Sequence, residues 1–149
     1  MILRRGRAAN EYWSYCEEVG CDVYELLQSV SGSLGEPMGL WLPQALRDPD
    51  TSEYVMGVEV SVDFAGPVPE HVQTVLLPPQ DFLIFQGPPY DEAAMGEAIG
   101  QVIRFADAFD PTPLGWVWSS TGLRYQLAPI GTRGYIEGRP VQPIEEPPC

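Results

Sequence analysis

The ten residues Glu53-Tyr54-Val55-Met56-Gly57-Val58-Glu59-Val60-Ser61-Val62 decide the class of this fold. Tyr54, Met56, Val58, Val60 and Val62 fall on one side of an extended chain. Val55, Gly57, Glu59 and Ser61 fall on the other. A helix would scatter these side chains around its axis, so the stretch reads as a strand with one strongly apolar face. A polar turn around Asp48-Pro49-Asp50 precedes it, and Gly66-Pro67 with Pro69 marks the loop that follows.

Working outward, similar short runs recur. Met38 to Pro43, Val72 to Leu77 and Phe82 to Gln86 read as strands, the last two stopped by Pro78-Pro79 and by Gly87-Pro88-Pro89. Further strands are predicted near Gly115 to Trp118, Leu123 to Leu127 and Tyr135 to Val141. Two stretches carry a helical period instead. From about Asn10 to Val30, Tyr12, Cys16, Val19, Val23, Leu26, Leu27 and Val30 form one stripe, weakened in the middle by Gly20. From about Asp91 to Phe109 the stripe is Met95, Ala98, Ile99, Val102, Phe105, Ala106 and Phe109, with Asp91 as the expected N-cap. Strands in runs with only two helices predict an α+β fold with an antiparallel sheet, two long helices and two βα-type halves side by side.

With 149 residues, 44% of them hydrophobic, the chain suits one domain, 1–149, with a frayed tail over 144–149. The formal net charge is −13, and every basic residue is arginine. Such a chain repels phosphate backbones and anionic membranes and favours cations in its long-range field, so neither nucleic acid nor membrane is expected as a partner. Cys16, Cys21 and Cys149 fit neither a disulfide framework nor a zinc site, which points to reduced thiols and a cytoplasmic location. Met1-Ile-Leu followed by arginines does not read as a signal peptide. No stretch reaches transmembrane length.

Several segments together resemble the GyrI-like domains that also serve as effector-binding domains of AraC-type and MerR-type regulators. Tyr54 to Val60 is similar to that family's central strand. Leu77-Pro-Pro79, Phe82-Leu-Ile-Phe85 and Gly87-Pro-Pro-Tyr90 resemble its proline turn, strand and glycine-led helix entry. Arg124-Tyr-Gln-Leu127 and Tyr135 to Val141 resemble its last two strands, so the likeness spans nearly the whole chain. It implies a cleft between the two halves, lined by aromatics, that takes a hydrophobic and often cationic small molecule. Several members place a buried glutamate on the second-to-last strand, facing the ligand. The matching position here is Gln126, which keeps hydrogen bonding and loses the charge, and Glu137 is the nearest replacement.

The residues expected to bind a ligand are Tyr12, Trp41, Phe85, Tyr90, Trp116, Trp118, Tyr125, Gln126 and Glu137. Tyrosine and tryptophan join a flat apolar body to a polar tip, which suits a cleft and can cage a cation. The competing reading is that most aromatics fill the core. Glu137 shares a strand face with Tyr135 and Arg139, so it is either a ligand-facing carboxylate or one half of a salt bridge. Signals of catalysis are thin. His71 is the sole histidine and lies in a proline-rich loop, no nucleophile motif or metal cluster is present, and no cofactor or catalytic residue is expected. The main expectation is a binding or sensing module, either free-standing or belonging to a regulator whose DNA-binding domain or protein partner is supplied elsewhere. Two alternatives stay open. One is a hydrolase of an electrophilic small molecule using Glu137 with Tyr125 or Tyr135. The other is a gyrase inhibitor, as the resemblance implies for some members.

Overall fold

A computed structural model describes residues 1–145 of the chain. It is an α+β protein built on a single eight-stranded antiparallel sheet. The strands are β1 (Ile2–Arg5), β2 (Met38–Trp41), β3 (Tyr54–Val58), β4 (Gln73–Thr74), β5 (Asp81–Gln86), β6 (Trp116–Trp118), β7 (Arg124–Leu127) and β8 (Ile136–Pro143). The helices are α1 (Tyr12–Val19), α2 (Val23–Gln28) and α3 (Met95–Ala108).

The sheet order β4-β1-β3-β2-β7-β8-β5 contains a repeat. In the first half β1 leads into helices and then into the hairpin β2–β3, with β3 in the middle. In the second half β5 leads into α3 and then into β7–β8, with β8 in the middle. The halves are joined edge to edge by β2 and β7, with Trp41 opposite Arg124 and Gly39 opposite Gln126. β6 pairs with the far end of β8, on the edge that β7 uses nearer the start, so β6 and β7 are one strand interrupted by a loop.

Only one helix is long. The stripe expected to run unbroken from Asn10 to Val30 breaks at Gly20, which sits at φ +93° and ends α1 by donating its N–H to Cys16. A side chain there would meet both an unfavourable backbone and the Asp22 carboxylate. α2 starts afresh at Val23 and buries Val23 and Leu27. In α1, Tyr15 is fully buried although it lies off the predicted stripe. α3 follows a 3-10 turn over Glu92–Ala94, and Asp91 makes no side-chain cap bond. α3 turns Val102 and Ala106 inward but leaves Phe105 64% exposed. The tail expected over 144–149 lies outside the described residues from 146 onward; within them, Ile144 donates its N–H to Gly115.

Because cross-strand partners share a face, the registers sort the core into layers. Ile2, Tyr54, Met56 and Val58 face α1 and α2. Phe85, Tyr135, Val102 and Ala106 form a separate cluster under α3. On the opposite face, Leu3, Leu40, Val55 and Leu123 form one cluster, with Tyr125 and Phe82 packed on it. All five residues of β3 are therefore buried, on both faces, and Val55 and Val58 each contribute about 1.5–3 kcal/mol of apolar burial. Val62, predicted to continue this strand, is 92% exposed beyond its end.

Candidate functional site

On the helical side the two core clusters do not meet. Between them, above the β2–β7 seam, lies a cavity of about 460 Å³. The first half supplies Tyr12, Trp13 and Tyr24 from its helices and Trp41, Tyr54 and Met56 from its strands. The second supplies Met95, Ile99 and Ile103 from α3 and Arg124, Gln126 and Tyr135 from the sheet side. The size and the mixture of aromatic walls with a few convergent polar groups match small-molecule sites.

The floor is set by sheet register. Met56, Gly39, Gln126, Glu137 and Phe85 lie side by side across five strands and point to the same face. Gly39 is required there: a Cβ would fall 2.0 Å from the Tyr54 hydroxyl. Its absence lets the phenol lie across β2 and reach Gln126. Gln126 Nε2 donates to Tyr54 Oη at 2.8 Å. Tyr135 Oη donates toward both Gln126 Oε1 at 3.0 Å and Glu137 Oε2 at 3.1 Å. Burial pushes the Tyr54 and Tyr135 phenols well above their ordinary value, and for Tyr135 the Glu137 charge adds to the effect. Both are neutral hydroxyls at neutral pH.

Glu137 has no exposed surface. Arg124 Nη2 donates to its Oε2 at 2.8 Å, and Arg139 Nε donates to its Oε1 at 2.7 Å. Arg139 also binds Asp107 at the exposed side of α3. A buried carboxylate held by two guanidinium groups and a phenol meets the condition that a buried charge be paired and hydrogen-bonded. Arg124 in turn lies over the Trp41 ring, 4.4 Å from its centroid, and Trp41 packs edge-on against Tyr54. Trp41 Nε1 donates to Asn10 O. At the rim, Glu11 accepts the N–H groups of Trp13 and Ser14, which holds its carboxyl below the usual range.

Of the residues expected from the sequence, Tyr12, Trp41 and Gln126 line this cavity. Glu137 sits beneath it as the salt-bridge partner of Arg124 and Arg139, one strand beyond Gln126 in the same row. Tyr125 points to the other face, where it packs edge-on against Phe82. Its neighbour Gln126 faces the cavity, and strict alternation denies both residues the same side. Phe85 and Tyr90 belong to the cluster under α3. Trp116 and Trp118 lie on β6, beside β8, with Trp118 tilted against Phe85. Phe85 also lines a separate apolar groove of about 560 Å³ beside β5, Phe105 and Leu114, built from the second half alone.

Among the polar residues of the floor, sequence reading left Tyr54 and Arg124 out of the ligand set and named Tyr135 only as a partner of Glu137 in the hydrolase alternative; Trp13, Tyr24 and the aliphatic wall were also left out. The signal was present as parity: Arg124 is two residues from Gln126, and Tyr54 two from Met56. What it lacked was the register that places those pairs beside each other. His71 is exposed with φ +63°, and no group of three or more histidine, cysteine, aspartate or glutamate side chains among the described residues could hold a metal ion. No helix among them is long and apolar enough to cross a membrane. Compared with known proteins, the chain matches no protein-family model, no curated protein and no solved structure.

Proposed function

We propose that the chain binds a small, largely apolar molecule in the cavity over the β2–β7 seam, as a sensing domain or a free-standing binding protein. The observation that carries this reading is the cavity itself. It divides the helical-side core in two, is walled by aromatic and aliphatic side chains, and gathers the Tyr54 hydroxyl, the Gln126 amide and the Arg124 guanidinium on its floor. The cavity is partly open to solvent, so a small molecule can enter it, and a ligand that binds there stabilises the folded chain. The free thiols Cys16 and Cys21 fit a reducing compartment such as the cytoplasm.

Nothing in the geometry favours the hydrolase alternative. Both oxygens of Glu137 are engaged by arginines and Tyr135, and the carboxylate does not line the cavity. A general base needs reach to the proton it takes.

The test is tryptophan fluorescence during titration with flat aromatic compounds. Trp13 and Trp41 lie in the wall, so saturable quenching is expected in the parent and in Trp118→Phe, a reduced signal in Trp41→Phe, and a strongly reduced one when Trp13→Phe is added to it. Quenching that persists with both wall tryptophans replaced and vanishes in Trp118→Phe would move the site to the separate groove beside β5. Absence of any response across the panel would overturn the reading.

A further inference from the structure

Hydrogen-bond bookkeeping around the cavity floor is one-sided. Among the described residues, the amide and carboxylate acceptors near the floor already have donors. Gln126 Oε1 receives the Tyr135 hydroxyl, and both oxygens of Glu137 receive arginine N–H groups. The Glu11 carboxylate at the rim receives two backbone N–H groups. On the floor, the donors of Tyr54 and Arg124 are not so engaged, and higher on the wall the Trp13 indole N–H and the Tyr24 hydroxyl have no partner among the described residues. Tyr54 Oη accepts from Gln126, but its own hydrogen has no acceptor among the described residues. Arg124 uses Nη2 for Glu137, and its Nη1 has no partner there; its Nε is buried without one.

The charges lean the same way. The guanidinium of Arg124 is part of the cavity wall, whereas the carboxylate that balances it is sealed below and shared with Arg139. A cation would pass the Glu11 carboxylate at the rim, already engaged by two backbone N–H groups, but at the floor it would meet Arg124 before Glu137 and would offer hydrogen-bond donors to a floor whose free groups are donors. An unpaired donor buried against a ligand loses its water without a replacement partner. A ligand that carries accepting oxygen would supply a partner for either group.

On the footing that the cavity is a binding site, we infer that it selects aromatic molecules bearing an oxygen acceptor, received by the Tyr54 hydroxyl and Arg124, and disfavours hydrophobic cations. The acceptor could be the carboxylate of an aromatic acid or the carbonyl of a neutral ketone. The shared chemistry is a flat ring with an exposed lone pair on oxygen.

A matched set of probes separates these cases: 2-naphthoate, 2-acetylnaphthalene and 2-naphthylmethylammonium, titrated calorimetrically into the full chain. Either oxygen-bearing probe should bind at least about tenfold more tightly than the ammonium, the effect of one or two hydrogen bonds to a charged or polar group. Preference for naphthoate alone would identify an anion site, and equal binding of naphthoate and the ketone a neutral acceptor site. Tyr54→Phe and, separately, Arg124→Gln should each cut binding of the oxygen-bearing probes about tenfold and leave the ammonium no weaker. Ammonium binding as tight as naphthoate, or equal losses for all three probes in Tyr54→Phe, would overturn the inference while leaving the cavity reading intact. If no probe binds to the parent chain, both fall.

Discussion

At the scale of single residues, the site depends on a side chain that is missing. Gly39 occupies the one place in β2 where a Cβ would collide with the Tyr54 phenol, 2.0 Å from its oxygen. Gly39→Ala must therefore displace Tyr54, break its bond with Gln126 and disturb the edge-on packing on Trp41. We expect a loss of about 1–3 kcal/mol, the usual cost of overpacking, measured by urea denaturation. Probe binding should fall with it. An unchanged midpoint would mean that the phenol has somewhere else to go. The same residue shows a limit of sequence reading. Met38-Gly-Leu-Trp41 was legible as a strand, but nothing in it shows that the glycine faces a tyrosine fifteen residues on. That follows only from the register that sets Trp41 opposite Tyr54. Glu137 was closer to legible. Its face was shared with Tyr135 and Arg139 by simple alternation, and the salt bridge with Arg139 is what alternation allowed.

At the scale of elements, most strands and the long helix were legible, the short β2, β6 and β7 among them, and the exceptions lie at β1, β4 and the first helix. β3, β5 and β8 and the long helix α3 lie close to where periodicity put them. β1 was missed because Ile2 and Leu3 are its only apolar residues and they face opposite clusters, so no alternation is visible. β4 shrinks to Gln73–Thr74, although the predicted run was six residues long, since β1 offers it only a short edge. The first helix is the clearest contest between levels. Its stripe passes through Gly20 as though the helix were continuous, while the backbone at Gly20 leaves helical space at φ +93°. Gly20→Ala distinguishes the two. With the break intact, alanine sits in a conformation that L residues resist, and stability should drop by about 1 kcal/mol or more in urea denaturation. A gain in stability would mean that α1 and α2 fuse into the single helix the stripe describes.

At the scale of the whole molecule, a net charge of −13 on 149 residues acts against compactness. Screening should relieve this. Raising ionic strength from about 0.01 M to about 0.15 M shortens the Debye length from about 30 Å to about 8 Å. The melting temperature should rise by about 2–4 °C, corresponding to about 1 kcal/mol, in calorimetric scans. A fall would mean that surface pairs such as Arg47–Glu53 and Arg104–Glu97 outweigh the general repulsion. The two halves are also held unevenly. On the face away from the helices one shared apolar cluster spans the seam, and Arg133 of the second half also grips Glu36 of the first through both carboxylate oxygens, close to Tyr24. On the helical face the clusters stand apart with the cavity between them. The molecule is therefore bound along its back like a book, through the β2–β7 ladder and the cluster behind it, with a gap left at the front. A ligand in that gap, as proposed above, would be mortar between two half-sheets, touching α1 through Tyr12 and α3 through Met95, Ile99 and Ile103.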